Sequence, residues 1–189
     1  MKTINLKYNA VSPNTRRPYW NMFKTKRPGY SKYRKDSEYN TVLNTGIFVD
    51  NLCEIGSDMG RSTAWLSNIA QNIDVYEQDT SYIDICKQQC YRQQKKYGPI
   101  RNVNWQEVED ISIKQVIDTL PKQYDAIKLS AEDVTQYVPN MLTKLKNGGY
   151  LIIDEVNPLL KHKVVKMLQY ELNFTSLRWD SVIIVAKHK

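Results

Sequence analysis

The sequence is poor in residues that define several classes of proteins. Its 189 residues include only three cysteines and two histidines, which argues against a disulfide-rich scaffold and gives little support to zinc sites built from Cys and His. Cys86 and Cys90 are one helical turn apart, a spacing poorly suited to a disulfide between them. We therefore expect reduced thiols and a cytoplasmic protein.

Long hydrophobic runs are also lacking. No stretch approaches the ~20 apolar residues of a membrane-spanning helix, and the first residues lack the apolar core of a signal peptide. We expect no association with a membrane. The length suits a single folded domain.

Acidic residues are scarcer than basic ones, 20 against 27, which gives a formal net charge of +7. Residues 1–40 hold ten basic and two acidic residues, whereas residues 41–189 hold 17 basic and 18 acidic residues. The excess positive charge therefore lies entirely in the N-terminal segment. That segment also carries seven aromatic residues, Tyr8, Tyr19, Trp20, Phe23, Tyr30, Tyr33 and Tyr39.

Two interpretations of this segment stay open. In one, a basic, aromatic-rich arm of residues 1–46 packs its aromatic rings on the domain, or covers its substrate, with the charges in water. In the other, residues 1–40 bind nucleic acid, because basic groups neutralise phosphates and aromatic rings stack on bases. Either way, residues 47–189 are predicted to form the folded domain.

From residue 50 onward, strand-like and helix-like segments alternate with short connections, which is typical of βαβ units and a parallel sheet. The last two predicted strands, 174–179 and 181–186, are nearly adjacent and must be antiparallel, since a parallel return needs a long crossover. The first helix is predicted over 61–71. Another is predicted over 135–146, ending at Asn147-Gly148-Gly149.

The most informative segment, residues 51–62, reads Asn-Leu-Cys-Glu-Ile-Gly-Ser-Asp-Met-Gly-Arg-Ser. An apolar run ends in Glu54, Gly56 and Gly60 follow, and a Ser-Thr pair opens a helix. A strand that turns directly into a helix leaves backbone N–H groups facing a concave space, which suits a polar ligand. Glu54 would repel a pyrophosphate and suits a ligand with positive charge. The simpler alternative is a tight turn, with Glu54 paired to a nearby lysine.

This segment resembles motif I of the class I S-adenosylmethionine-dependent methyltransferases. Glu77, twenty-one residues after Gly56, resembles the family's acid at the end of the second strand. The stretch 144–154 resembles the family's Leu-Lys-Pro-Gly-Gly turn, with Asn147 in place of the proline. The resemblance covers roughly residues 47–189. It implies a Rossmann-like α/β fold: a seven-stranded, mostly parallel sheet with helices on both faces and an antiparallel C-terminal strand.

The resemblance also implies S-adenosylmethionine as the cofactor. Glu77 would accept both ribose hydroxyls, Glu109 would accept the adenine amino group near Trp105, and Asp58 would form the turn or hold the methionine end. The implied cofactor-binding residues are Glu54, Gly56, Ser57, Asp58, Gly60, Ser62, Glu77, Gln78 and Glu109.

The methyl acceptor is expected over the carboxyl ends of the first, fourth and fifth strands. The candidate catalytic residues there are Lys128, Glu132, Asp154 and Glu155. Lys128 has a second interpretation as a lysine at a strand edge, and the two strand-end acids could cap the next helix, although Asn157 already suits that role.

The acceptor side departs from known subtypes. The Asp/Asn-Pro-Pro-Tyr/Phe motif of amino-methylating enzymes is absent, since Leu-Ser-Ala-Glu occupies 129–132. Metal-dependent O-methyltransferases usually have an Asp where this chain has Ser130. Asp154 and Glu155 resemble their acidic pair, and Glu132 or Asp133 could complete an oxygen site for a divalent metal, but nothing else in the sequence supports a metal.

We therefore predict an S-adenosylmethionine-dependent methyltransferase that methylates oxygen on a small molecule or on a sugar or nucleotide unit. The alternatives are an RNA-binding methyltransferase that uses the N-terminal arm, and a methyltransferase-like subunit without activity. The sequence leaves the acceptor and the oligomeric state open.

Overall fold

The computed structural model describes residues 40–42, 44–57, 60–77, 80–93, 98, 100, 102–108, 111–130, 134–154, 157–179 and 184–189. Most of the predicted arm, residues 1–46, lies outside these ranges, so the domain boundary and both interpretations of the arm stay predictions. Val42, near the end of that segment, is fully buried in the hydrophobic core.

Seven strands form one sheet in the order β3-β2-β1-β4-β5-β7-β6. The first five run parallel to one another, and β7 runs antiparallel to both of its neighbours. The predicted Rossmann-like fold class is therefore confirmed, including the antiparallel C-terminal strand. The strands are β1 Val49–Ile55, β2 Ala70–Glu77, β3 Asn102–Glu107, β4 Tyr124–Ser130, β5 Leu145–Asp154, β6 Phe174–Trp179 and β7 Ile184–His188.

In the described part of the chain, five α-helices follow the strands, and local signals mark the start of two of them. Ser112 caps α3 through a capping box with Gln115. Asn157 caps α5, accepting a hydrogen bond from the backbone N–H of Leu159 at 3.0 Å. No helix within the described ranges is long and apolar enough to cross a membrane. The helices are α1 Arg61–Leu66, α2 Thr80–Arg92, α3 Ile113–Thr119, α4 Val138–Leu142 and α5 Pro158–Lys166, which continues into a π-helical turn over Met167–Glu171.

Both faces of the sheet are buried, so its central strands carry nearly continuous apolar runs. Buried residues of α3, α4 and α5 pack on one face, which includes Cys53, Ile127 and Leu151. Buried residues of α1 and α2 pack on the other, which includes Leu52 and Ile152. Because β1, β4 and β5 are parallel neighbours in the sheet, their carboxyl ends lie side by side.

The predicted first helix, residues 61–71, is too long. It ends at Leu66, and β2 begins at Ala70. The carbonyl of Ile69 accepts a 2.8 Å hydrogen bond from the backbone N–H of Val49, and Val49 lies opposite Ala70 in the sheet. Helical periodicity places Ile69 and Ala70 in the helix, but both residues instead pair with β1.

The helix predicted over 135–146 is also too long. It is only Val138–Leu142, and β5 already begins at Leu145. Leu145 lies opposite Tyr124, whereas Tyr150 lies opposite Ala126, so the extra residues of β5 form a bulge. Gly148 lies in that bulge with a φ of 75°, a left-handed conformation that favours glycine. The Gly pair therefore serves a strand irregularity and not a helix end.

Candidate active site

The sequence order of the strands reverses between β1 and β4 in the sheet, so the crevice of an open α/β sheet is expected outside their carboxyl ends. In open α/β sheets this switch point is where ligands bind. The chain leaves β1 at Gly56, whose backbone N–H donates to the carbonyl of Tyr76 at 3.0 Å. The predicted motif therefore lies at the crevice.

Glu77, at the end of β2, lies directly against this loop. Its Oε2 accepts hydrogen bonds from the backbone N–H of Ser57 at 2.9 Å and from the Ser57 hydroxyl at 2.7 Å. The Glu77 side chain is half-buried. The structure thus brings together two predicted cofactor-binding residues from neighbouring strands.

Gly60 shapes the start of α1 through close packing. Its φ is 71°, and a methyl group in place of its hydrogen would collide with the backbone carbonyl of Cys86 on α2. Only glycine therefore allows α1 to begin so close to α2 at this point.

Glu54 lies beneath the loop and is fully buried. Its Oε1 accepts a hydrogen bond from the Ser62 hydroxyl at 2.5 Å, and its Oε2 accepts one from the Thr63 hydroxyl at 2.6 Å. Both carboxylate oxygens therefore hold the first turn of α1. The role of Thr63 was not predicted, although its signal is visible in the Ser-Thr pair that opens the helix.

Lys128 joins this carboxylate to a second one. It lies opposite Glu54 in the register of β1 and β4, and its Nζ is 3.2 Å from Glu54 Oε1. The same Nζ is 3.4 Å from Oδ2 of Asp154 at the end of β5. Lys128 is fully buried and Asp154 is 6% exposed. The alternative in which Glu54 pairs with a lysine describes this contact, whereas Lys128 is not an exposed residue at a strand edge.

The ammonium of Lys128 also binds the loop itself. It donates to the carbonyl of Gly56 at 2.8 Å, to the Ser130 hydroxyl at 2.5 Å and to the Ser62 hydroxyl at 3.3 Å. Ser130 in turn donates to the Gly56 carbonyl at 3.3 Å. A buried charge is tolerated only when it is paired and hydrogen-bonded, and these acceptors meet that condition.

A second polar cluster lies on the other face of the sheet and is more open to water. Asp74 Oδ2 lies 3.0 Å from Lys122 Nζ and accepts a hydrogen bond from the Tyr124 hydroxyl at 2.9 Å, while its Oδ1 accepts one from the Asn104 amide at 3.2 Å. Burial alone would raise the pKa of Asp74, but these three donors outweigh it and lower the pKa below its ordinary value. Burial raises the pKa of Tyr124 far above its ordinary value.

Several predicted site residues cannot be placed. Asp58, Gln78, Glu109, Glu132 and Glu155 lie outside the described residues. Within the described ranges, no group of three or more His, Cys, Asp or Glu side chains could hold a metal ion. Cys53, Cys86 and Cys90 are buried thiols, and none of them takes part in a disulfide bond.

Trp105 is described, and its half-buried side chain packs against the core on the α1 side of the sheet. Its predicted place beside the adenine therefore stays a prediction, as does that of Glu109.

Solved structures with the same architecture belong to methyltransferases. The chain is similar to an O-methyltransferase from Bacillus cereus in complex with S-adenosylhomocysteine, with a TM-score of 0.60, 16% identity and coverage of 95% of this chain and 94% of that chain. The chain has the class I methyltransferase fold. No family model and no curated protein matches the sequence.

Other structures with this fold act on different acceptors. The ribosomal protein L11 methylase from Lactobacillus delbrueckii subsp. bulgaricus has a TM-score of 0.63 and 11% identity, with coverage of 85% of this chain and 80% of that chain. The N-methyltransferase NodS from Bradyrhizobium japonicum WM9, solved with S-adenosylhomocysteine, has a TM-score of 0.53 and 16% identity, with 89% of each chain covered. A methyltransferase fold therefore leaves the acceptor of this chain open.

Proposed function

We propose that this protein is a methyltransferase that uses S-adenosylmethionine. The observation that carries the proposal is the position of Glu77, whose carboxylate is held by Ser57 beside the loop at the switch point of the sheet. A carboxylate at this place can accept the two hydroxyls of a ribose bound across the loop. The class I methyltransferase fold supports the same proposal.

The residues at the crevice fit such a cofactor. Backbone groups of the loop from Gly56 and the carboxylate of Glu77 would hold it, with Gly60 allowing the turn to pack closely against α2. Bound S-adenosylmethionine supplies a methyl group on a positively charged sulfur. The negative charge of Glu54 and Asp154 close to the loop suits that positive charge.

We expect Glu54 to act without touching the cofactor. Its carboxylate is fully buried and both oxygens accept hydrogen bonds from the first turn of α1. It therefore holds the loop in place, and its charge acts through the protein interior.

We further propose that the acceptor atom is an oxygen on a small molecule or on a sugar or nucleotide unit. Asp154 ends β5 beside the crevice and is the described acid best placed to orient or deprotonate a hydroxyl. Lys128 is fully buried and would not touch the acceptor, but it fixes Asp154 and Ser130 in place. Glu132 and Glu155 stay candidates for the same edge.

Isothermal titration calorimetry with S-adenosylhomocysteine tests the cofactor proposal. We expect binding by the wild type, and a loss of about ten-fold or more in affinity for Glu77→Ala, because hydrogen bonds to a charged partner are lost. Asp84→Ala, which removes an exposed acid from α2, is the matched control and should bind like the wild type. Absence of binding at millimolar ligand would reject the proposal.

The acceptor is tested by transfer of a labelled methyl group to panels of hydroxylated small molecules, nucleosides and RNA. Transfer to a catechol, sugar or nucleoside hydroxyl supports O-methylation, and transfer to nitrogen contradicts it. Cofactor binding without transfer to any panel favours the inactive-subunit alternative.

The basic N-terminal segment favours RNA as a second candidate acceptor. Residues 1–40 carry ten basic residues and seven aromatic rings, a combination suited to a single-stranded nucleic acid. A gel shift that weakens with salt and disappears when residues 1–40 are deleted would support this candidate. Binding that is absent, or insensitive to salt, would remove it.

A further inference from the structure

We propose that the buried group formed by Glu54, Lys128 and Asp154 sets the preference of the site for the positively charged cofactor over its neutral product. Lys128 is then a specificity-determining residue, because its ammonium offsets one of the two carboxylates. This inference rests on the proposed function, and its experiment separates the two.

The three side chains form one compact charged group. Lys128 Nζ is 3.2 Å from Glu54 and 3.4 Å from Asp154, and all three residues are buried. Two carboxylates and one ammonium give these described residues a formal charge of −1. A group with this formal charge attracts a positively charged ligand.

Hydrogen bonds connect the charged group to the loop that runs from Gly56 to the start of α1, where the cofactor is proposed to bind. Lys128 donates to the Gly56 carbonyl at 2.8 Å, and Glu54 holds the hydroxyls of Ser62 and Thr63 at the start of α1. The group lies on the sheet face that α1 covers, away from water. Charges in such an interior are weakly screened and act over longer distances than charges at the surface.

S-adenosylmethionine and S-adenosylhomocysteine differ by one methyl group and one positive charge on sulfur. Their adenine, ribose and amino-acid parts are identical, so contacts with those parts cancel in the ratio of the two dissociation constants. The ratio therefore reports mainly the charge that the sulfur experiences. A group of charge −1 favours the cationic cofactor, which limits inhibition by the product.

Two substitutions change the charge of the group in opposite directions. Asp154→Asn keeps the shape and changes the formal charge from −1 to 0. Lys128→Met keeps most of the length and changes it from −1 to −2. A unit charge within about 10 Å, at an effective dielectric constant of about 20, changes affinity by about ten-fold.

The experiment measures both dissociation constants by calorimetry. We expect the preference for S-adenosylmethionine over S-adenosylhomocysteine to fall about ten-fold in Asp154→Asn and to rise about ten-fold in Lys128→Met. Structural damage alone would weaken the binding of both ligands equally and leave the ratio of the two dissociation constants unchanged. If Lys128→Met does not fold, Asp154→Asn decides the result by itself.

Matched controls use Asp125 and Lys146, an ion pair with an N–O distance of 2.6 Å that lies away from the crevice and is partly exposed. Asp125→Asn and Lys146→Met make the same changes in formal charge, and the ratio should stay within about two-fold of the wild type.

A ratio that is unchanged in both site variants, or that moves in the same direction in both, overturns the inference while leaving the proposed function intact. Equal shifts in the control variants also overturn it, because total charge would then be the cause. A wild type that binds neither ligand rejects the proposed function, and the inference with it.

Discussion

Lys128 and Lys122 each pair with an aspartate, but in very different surroundings. Lys128 has a fully buried side chain and lies between Glu54 and Asp154. Lys122 is 45% exposed and pairs with Asp74, whose side chain is 15% exposed. The N–O distances are 3.2 and 3.4 Å in the first group and 3.0 Å in the second, so distance does not distinguish them.

Burial distinguishes them. When the buried ammonium of Lys128 loses a partner, water cannot take that partner's place, whereas water can solvate the exposed ammonium of Lys122. Removing one member of a buried pair therefore leaves an uncompensated charge, and removing one member of a surface pair costs little. Among the described residues, the buried charged side chains are Glu54, Lys128 and Asp154, which lie beside the loop proposed to bind the cofactor.

The largest expected effect is that of Lys128→Met on stability. It leaves two buried carboxylates without their shared ammonium, which should lower the free energy of unfolding by about 3–5 kcal/mol. Urea denaturation followed by circular dichroism measures it. Lys122→Met is the matched control, with an expected loss below about 1 kcal/mol. Similar losses in the two variants would show that burial does not separate the pairs.

Gly60→Ala and Gly148→Ala extend the comparison to the backbone. Both glycines have a positive φ, 71° and 75°. A methyl group at Gly60 meets the carbonyl of Cys86, whereas one at Gly148 has no described residue other than its chain neighbours within 4 Å. We expect losses of about 2–4 kcal/mol for Gly60→Ala, from backbone strain and overpacking, and about 1 kcal/mol for Gly148→Ala. The same denaturation assay measures both, and a smaller loss at Gly60 would contradict the observed packing.

The smallest expected effect is that of Asp74→Asn, and it depends on pH. Hydrogen bonds from Lys122, Tyr124 and Asn104 outweigh burial and lower the folded-state pKa of Asp74 below its ordinary value of 3.8. The ionised carboxylate therefore stabilises the fold above that value, and this contribution disappears as the pH falls through the lower folded-state pKa.

At pH 6 the free energy of unfolding of the wild type should consequently exceed that of Asp74→Asn by less than about 1 kcal/mol. The difference between the two should shrink below pH 3.8. Denaturation at a series of pH values measures it. If the difference instead grew as the pH fell, the pKa of Asp74 would not be lowered in the folded state.

Local patterns in the chain account for much of the fold. The alternation of apolar segments predicts the parallel sheet, and the short connection before the last strand requires an antiparallel pair. Element ends were less predictable, because Ile69 and Ala70 suit a helix as well as a strand and only pairing with β1 decides between them. Gly148 and Gly149 similarly suit a helix end or a bulge.

The loop after β1 was predictable for a similar reason. Glu54, Gly56 and Gly60 lie within seven residues of each other, so their proximity requires no knowledge of the fold. Glu77 follows from the next βα step. The sequence by itself determined the sheet class, the loop and the acid beside it, because these depend on short-range order along the chain.

Only the tertiary structure decided what lies beneath the loop. β1 and β4 are neighbours in the sheet although two strands separate them in the sequence, and their register places Lys128 opposite Glu54. β5 then brings Asp154 to the same ammonium. The physical reason is that a buried charge is stable only where partners from distant segments converge, and that convergence depends on strand order, which local patterns do not determine.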